Sequence, residues 1–329
     1  MKTEAAVLVE MGKPLVIAEL EVPPLKSGQC LVEISYSGAC HTQLLEARGR
    51  RGTDPWLPHC LGHEASGVVL EVGADVSRVY AGDRVALSWI KASGIEAGGA
   101  LYDWNGRTVN AGAVTSFQRH AVVSENRLTK LPAELKMREA TLLGCALPTG
   151  LGAVMNVGKP QPGESVAIFG AGGVGLCAVM GAVVSKCSPV IAIDLIDSKL
   201  EMAVMFGATH IINGGKGNGI EEVMEICPMG VDLAIEATGR PAVMATALTA
   251  VRAQGGRAVV IGNAPKGQTV VLDPWQFNQG KSLLGTWGGD AKPDRDFPRF
   301  ASFITEQKID VKPLLSKSYL LEEINDALE

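Results

Sequence analysis

Ser165 to Lys199 reads SVAIFGAGGVGLCAVMGAVVSKCSPVIAIDLIDSK. Val166 to Phe169 is a short apolar run suited to a buried parallel strand. It leads straight into Gly170-Ala171-Gly172-Gly173-Val174-Gly175, a GxGxxG turn, and then into a helical stretch, Leu176 to Ser185. Val190 to Ile193 is a second apolar strand, closed by Asp194, 19 residues after Gly175. Each part has a task in holding a dinucleotide. Gly170 allows the tight turn, Gly172 lets the backbone approach a pyrophosphate, and Gly175 lets helix and strand pack closely. The unpaired N–H groups at the helix start attract phosphate. Asp194 can accept hydrogen bonds from an adenosine ribose diol and would repel a 2′-phosphate. A GxGxxG on its own also fits a plain βαβ turn, but that reading leaves Asp194 without a purpose.

Outward from this unit, the chain from Glu164 onward repeats strand and helix. Ser198 to Phe206 and Gly219 to Ile226 read as helices, as does Val243 to Val251. Ile211-Ile212, Asp232 to Glu236 and Arg257 to Ile261 read as strands, the last closing at Gly262. Strands separated by helices of this length imply a parallel, doubly wound sheet. Beyond it, Gln268 to Leu272 and Lys281 to Leu284 are short strand candidates forming an exposed edge, which is a liability unless it pairs. Pro293 to Gln307 reads as a helix, Pro313 to Tyr319 as extended, and Leu321 to Glu329 as the start of a helix.

Upstream the texture is mainly β. Strand candidates are Ala5 to Val9, Leu15 to Leu20, Leu31 to Ser35, Gly67 to Val72, Arg84 to Trp89 and Phe117 to Val123, separated by turn-forming Pro and Gly. Ser93 to Gly112 is glycine-rich and reads as a surface loop. Arg138 to Val157 reads as two helical pieces around a bend at Pro148 and Gly150.

Composition sets the class. The 329 residues favour two domains over one, and 47% apolar against 20% charged residues describes a globular chain with a large core. A net charge of −5 with no long basic cluster argues against nucleic acid or an anionic membrane as partner. No apolar run reaches a membrane span, and the first residues lack a signal-peptide profile. Seven cysteines, odd in number and without a CxxC, favour reduced thiols and a cytoplasmic setting.

Three places in the first half carry candidate chemistry: Gly38-Ala39-Cys40-His41-Thr42, Gly62-His63-Glu64 and Gly144-Cys145. Two thiolates, an imidazole and a water would make an open tetrahedral zinc site. Each residue alone also reads as an ordinary small buried thiol or a core histidine, and their spacing does not itself bring them together.

With GACHT, GHEASGVVLEVG, AGDRV, GCALPTGLGAV and GAGGVG in that order, the chain resembles the zinc-dependent alcohol dehydrogenases of the medium-chain dehydrogenase/reductase family over nearly its whole length. The resemblance implies an α/β fold with a mainly-β GroES-like catalytic domain (1–149), a Rossmann NAD-binding domain (150–288) and a return to the catalytic domain (289–329). It implies Cys40, His63 and Cys145 as ligands of one catalytic zinc, with Glu64 as a neighbouring carboxylate and Thr42 as the hydroxyl that takes the substrate proton. His41 matches a pyrophosphate contact, Thr149 a residue near the nicotinamide, and Lys199 a support for the ribose beside Asp194. Trp89, Asn263 and Thr286 fall near substrate-pocket positions; two are polar, which favours a polar substrate as much as it fits simple turn chemistry. The edge strands match those that pair two subunits, implying a homodimer.

The implied reaction moves a hydride between NAD(H) and a small alcohol or carbonyl compound, zinc polarising the substrate oxygen. A zinc-free quinone or enoyl reductase of the same superfamily, and a non-catalytic dinucleotide-binding protein, are the alternatives. The departures are specific. Gln43 stands where members often carry an acid that orients the zinc histidine, and Leu45 where a histidine often ends the proton relay. No cysteine lies between Asp83 and Gln118, so the structural-zinc cluster is missing. The pattern stops at Glu329, where members usually continue to a further strand.

Overall fold

Contacts divide the chain into two units: Met1–Cys145 with Lys292–Thr305 and Leu315–Glu329, and Ala146–Ala291 with Glu306–Leu314. The fold is that of a computed structural model, which describes residues 1–217, 219–315 and 317–329.

In the first unit the elements follow as β1 (Lys2–Leu8), β2 (Val16–Glu21), β3 (Gln29–Ser37), α1 (His41–Ala47), β4 (His59–Cys60), β5 (Glu64–Val72), β6 (Arg84–Ser88), β7 (Leu101–Trp104), β8 (Arg107–Asn110), β9 (His120–Ser124), β10 (Leu128–Lys130) and α2 (Met137–Ala140). β1, β2, β7, β8 and β4 close a barrel; β10-β6-β5-β3-β9 form a second sheet. Alternating residues fill the barrel: Ala5, Val7, Ala18, Leu20, Tyr102 and Val109 share one buried cluster. Val32, Val69, Val85, Leu87 and Val123 make the core beneath the second sheet.

The segment 93–112, read as a surface loop, contains the β7–β8 hairpin instead. Asn105 and Gly106, both at positive φ (52° and 85°), make the two-residue turn whose twist suits paired strands. Tyr102 and Val109 face inward as cross-strand partners. Glycine content masked an Asn-Gly turn flanked by alternating side chains.

The second unit runs α3 (Ala146–Gly152), β11 (Val166–Phe169), α4 (Gly173–Val184), β12 (Val190–Asp194), α5 (Asp197–Met205), β13 (His210–Asn213), α6 (Gly219–Ile226), β14 (Leu233–Glu236), α7 (Pro241–Ala250), β15 (Arg257–Val260), α8 (Trp275–Asn278) and β16 (Ser282–Gly285). The strands pair in parallel in the order β13-β12-β11-β14-β15-β16. This is the doubly wound dinucleotide-binding order, reversing direction between β11 and β14. β11 is buried along its whole length, as its uninterrupted apolar run requires. Residues 268–272 form no strand; polar Gln268 and Thr269 leave too short an apolar run, so β16 forms this edge of the sheet by itself and β13 the opposite one. The bend expected at Pro148 falls at Cys145 (φ −152°, ψ −64°), and Pro148 lies in the first turn of α3, where its missing N–H costs nothing.

The chain then returns to the first unit through α9 (Pro293–Thr305) and α10 (Ile324–Leu328). Asn325 exchanges two hydrogen bonds with the backbone of Leu15, at 2.8 and 3.0 Å, and Ile324 joins Leu8, Leu15 and Phe117 in a core. Of the stretch 313–319, read as extended, the start lies in a 3₁₀ turn at Lys312–Leu314, Lys317 to Tyr319 have no helix or strand, and Ser316 lies outside the described residues.

Candidate active site

Three distant segments meet around Glu64, which is 5% exposed. A side chain at Gly38 would strike the Glu64 carboxyl group at 2.7 Å, and one at Gly144 would strike its Cβ at 2.6 Å. Glycine at both positions therefore lets the backbone before Cys40 and the backbone before Cys145 close on the residue next to His63. Hydrogen bonds fix the approach: Gly38 N–H to Glu64 O at 3.0 Å, Trp89 N–H to His63 O at 3.1 Å, and the Ser88 hydroxyl to Gly144 O at 2.6 Å. Ser88 carries no sequence signal, because its role depends on a long-range carbonyl.

The result is one cluster. A ligand atom from each of Cys40, His63, Glu64 and Cys145 lies within 4.8 Å of the others. Trp89 borders it, with its indole N–H directed at the Cys145 sulfur at 3.3 Å and its ring edge-on to His63. The Cys145 thiol donates to Cys40, which outweighs burial and holds Cys40 down to about 3, while the same contact and burial push Cys145 up. Burial lowers the His63 pKa, but the nearby Cys40 sulfur and the charges of Glu64 and Glu46 outweigh it and leave a net rise. Such a pocket attracts a cation. His63 Nε2 is buried without a hydrogen-bond partner among the described residues. Two sulfurs, that nitrogen and a carboxylate fit zinc.

Gln43, 1% exposed, supports this group from α1. Its amide oxygen accepts the Cys40 N–H at 3.1 Å and its amide nitrogen meets His63 Nδ1. His41 is exposed at the start of α1 and Thr42 half-buried beside it. Cys60 stays out of the cluster in the barrel core, where burial raises its thiol to about 12.

In the second unit the glycine turn has the expected form. Gly170 adopts φ +97°, and a side chain at Gly175 would overlap the Gly170 carbonyl, so the helix–strand contact requires glycine there. Cβ atoms at Gly172 and Gly173 would meet nothing, leaving space above the turn, and no side chain caps α4. Free N–H groups facing open space fit a pyrophosphate. Val174 lies in the first turn of α4. Asp194 Oδ2 accepts the Ala171 N–H at 2.7 Å, tying the acid to the turn. Lys199 is half-buried in α5, and Thr149 lies on α3. Gly262 sits against Gly239 and within 2.7 Å, for an added Cβ, of Glu236 Oε2. Asn263 is exposed, and Thr286 donates to Asp290 at 2.6 Å, so its hydroxyl serves its own turn.

Residues 26–133 match the alcohol dehydrogenase GroES-like domain, and residues 173–306 the zinc-binding dehydrogenase domain. S-(hydroxymethyl)glutathione dehydrogenase of Synechocystis is 35% identical, the alignment covering all of this chain and 96% of that protein.

The chain belongs to the zinc-dependent alcohol dehydrogenases of the medium-chain dehydrogenase/reductase family.

Its fold matches that of benzyl alcohol dehydrogenase from Acinetobacter calcoaceticus with a TM-score of 0.91, at 29% identity and covering 99% of this chain and 95% of that one. An alcohol dehydrogenase zinc-binding domain protein from Burkholderia ambifaria matches with a TM-score of 0.89 at 32% identity, over 99% and 95% of the two chains. The GroES-like and Rossmann architecture, and a zinc-dependent, nicotinamide-linked oxidoreductase acting on small alcohols or carbonyl compounds, follow from that membership. The zinc-free and non-catalytic alternatives are not favoured.

Proposed function

We propose that this dehydrogenase binds one catalytic zinc through Cys40, His63 and Cys145 and uses NAD(H) to interconvert a primary alcohol and its aldehyde. The observation that carries the reading is the convergence of those three side chains with Glu64 in one partly buried cluster. When bound, zinc supplies Lewis acidity to a substrate oxygen, and the dinucleotide supplies or accepts the hydride. Cys40 and Cys145 provide the negative charge that holds the metal, and Glu64 adds a carboxylate beside it. Trp89 donates to the Cys145 sulfur and moderates that charge. Thr42, two residues after Cys40, holds and passes on the substrate proton. Leu45 offers no imidazole to continue the path, so the proton goes to water.

The Gly170–Gly175 turn, Asp194 and Lys199 hold the dinucleotide, with His41 and Thr149 as further contacts and Gly262 leaving room beside Glu236. Two of the similar proteins are named for a hydroxymethyl compound and for benzyl alcohol, which supports a primary alcohol here. Trp89, Asn263 and Thr286 are the substrate-pocket candidates, and domain limits of 1–149, 150–288 and 289–329 go with this reading. A homodimer joined through β16 is supported by that strand's position at the sheet edge. A cytoplasmic setting is supported by seven free cysteines. No single helix among the described residues is long and apolar enough to cross a membrane.

An NADH-absorbance screen over alcohols and aldehydes, paired with metal analysis, tests the assignment. Turnover confined to zinc-loaded protein and abolished in Cys145→Ala is expected; full activity in metal-stripped protein would refute it.

A further inference from the structure

Outside the zinc cluster, a second set of donors converges. α1 carries Glu46 in its last turn, the loop after it carries Asp54, and β4 carries His59. One ligand atom from each lies within 4.8 Å of the other two. His59 is 8% exposed and engaged on both sides of its ring. Nδ1 lies 3.0 Å from the carbonyl oxygen of Cys60, and Nε2 lies 2.6 Å from Oδ2 of Asp54.

A carbonyl oxygen only accepts, so Nδ1 carries a hydrogen and a neutral ring would present a lone pair at Nε2. The Asp54 carboxylate also only accepts. Nε2 therefore sits against one carboxylate, and Glu46 brings a second one within reach of the same point. An imidazole anchored through its other nitrogen to a backbone carbonyl is also the way proteins hold a metal-ligating histidine. Burial of the ring, its fixed orientation and two half-buried carboxylates distinguish this trio from a surface ion pair.

We propose that Glu46, Asp54 and His59 form a second, exchangeable site for a divalent cation of the zinc or manganese type. One imidazole nitrogen and two carboxylate oxygens, with room for water, suit such ions. Without thiolates the site binds more weakly than the Cys40–Cys145 cluster. On loading, any hydrogen on Nε2 leaves to solvent, and bonds form from the metal to Nε2 and to the carboxylate oxygens. Metal–ligand bonds of about 2.0–2.2 Å need the Nε2–Oδ2 gap to widen. Asp54 lies in residues 48–58, which have no helix or strand, so that widening breaks no ladder or helix hydrogen bond. The cation would clip the end of α1, the loop and β4 together, closing a segment that contains the exposed Arg48, Arg50 and Arg51.

The clip gives a readout independent of catalysis. Zinc-loaded protein, freed of loosely held metal, is titrated with Mn²⁺ while free Mn²⁺ is followed by electron paramagnetic resonance, and trypsin cleavage after the three arginines is timed in parallel. One further equivalent per chain should bind. At ten times Kd, cleavage that needs the clip open should slow about tenfold by mass action. Asp54→Asn and Glu46→Gln, both at half-buried positions, should lose binding and protection while keeping the tightly held zinc. Absence of saturable binding up to millimolar Mn²⁺, binding that survives in Asp54→Asn, or binding without tryptic protection would each overturn the site and leave His59 as a hydrogen-bond partner of Asp54 only.

Discussion

The side-chain amide of Gln43 lies between the backbone N–H of Cys40, held at 3.1 Å, and Nδ1 of His63. Its oxygen faces Cys40, so its NH₂ faces the histidine, and Nδ1 must accept. That leaves the ring hydrogen on Nε2, the buried nitrogen with no partner among the described residues. Binding a metal through Nε2 requires that hydrogen to move to Nδ1 and the amide to turn over, releasing the Cys40 N–H. A carboxylate would accept from both without turning. Gln43→Glu should therefore tighten zinc by about 10–100-fold, the usual weight of such supporting groups. Competition with a chromogenic chelator reads this directly. The metal-free variant should also melt lower than the parent, because it buries a charge. Unchanged or weaker zinc retention would show that the amide already serves the metal-bound ring.

Cofactor choice should follow Asp194. Its two oxygens take the N–H groups of Ala171, Leu195 and Ile196 at 2.7, 2.7 and 3.1 Å, which pins the carboxylate beside the glycine turn with lone pairs to spare for a ribose diol. A 2′-phosphate would face that charge, a repulsion of roughly 4 kcal/mol at 4 Å before screening. Even heavily screened, this predicts kcat/KM at least about tenfold higher for NADH than NADPH. Asp194→Ser should narrow the ratio. Equal or better use of NADPH by the parent protein would contradict the argument.

The parallel sheet was readable because its central strands are apolar runs and most of its turns carry a glycine. Val166–Phe169, the GxGxxG turn and Val190–Asp194 lie where periodicity and turn chemistry place them. The metal cluster was readable only through the family pattern. Nothing local in GACHT, GHE or GC states that Gly38 and Gly144 both close on Glu64, because that contact spans most of the first unit. Composition misled at 93–112, where the Asn105-Gly106 turn outweighed glycine content. His59 gave no signal, since its partner Asp54 and its carbonyl anchor appear only once β4 is seated in the barrel.

That hairpin should matter to stability. Tyr102 is 1% exposed, and its hydroxyl accepts the Val122 N–H at 2.8 Å. Tyr102→Phe leaves this buried donor unpaired, at a cost of about 1–3 kcal/mol. Tyr102→Ala adds a cavity and should cost about 3–5 kcal/mol. Urea unfolding measures both, and a neutral Tyr102→Phe would mean that the Val122 N–H finds another partner.

Tight zinc should be limited to one per chain. Among the described residues only the Cys40–Cys145 cluster offers thiolates, and the 83–118 segment, which lacks cysteine, is folded by its hairpin and apolar side chains instead. After brief chelator treatment and desalting, elemental analysis should return close to one zinc per polypeptide, and Cys145→Ala close to none. Two zincs surviving that treatment, or retention in the variant, would break the assignment.

The sheet edge should make the protein a dimer. β16 pairs on one side with β15 and on the other with no strand among the described residues, and Leu284 on it is 36% exposed. Around it Val271, Trp275 and Trp287 are 85%, 62% and 70% exposed, an apolar display that a lone chain would have to leave in water. Unpaired strand hydrogen bonds beside apolar surface favour association with another edge. A second copy meeting the first across a two-fold axis would satisfy both at once. Light scattering at micromolar concentration should give twice the chain mass. Leu284→Lys, which places a charge on that edge, should shift the mass toward the monomer while leaving the far-UV dichroism unchanged. A parent protein that scatters as a monomer would exclude this edge as an interface.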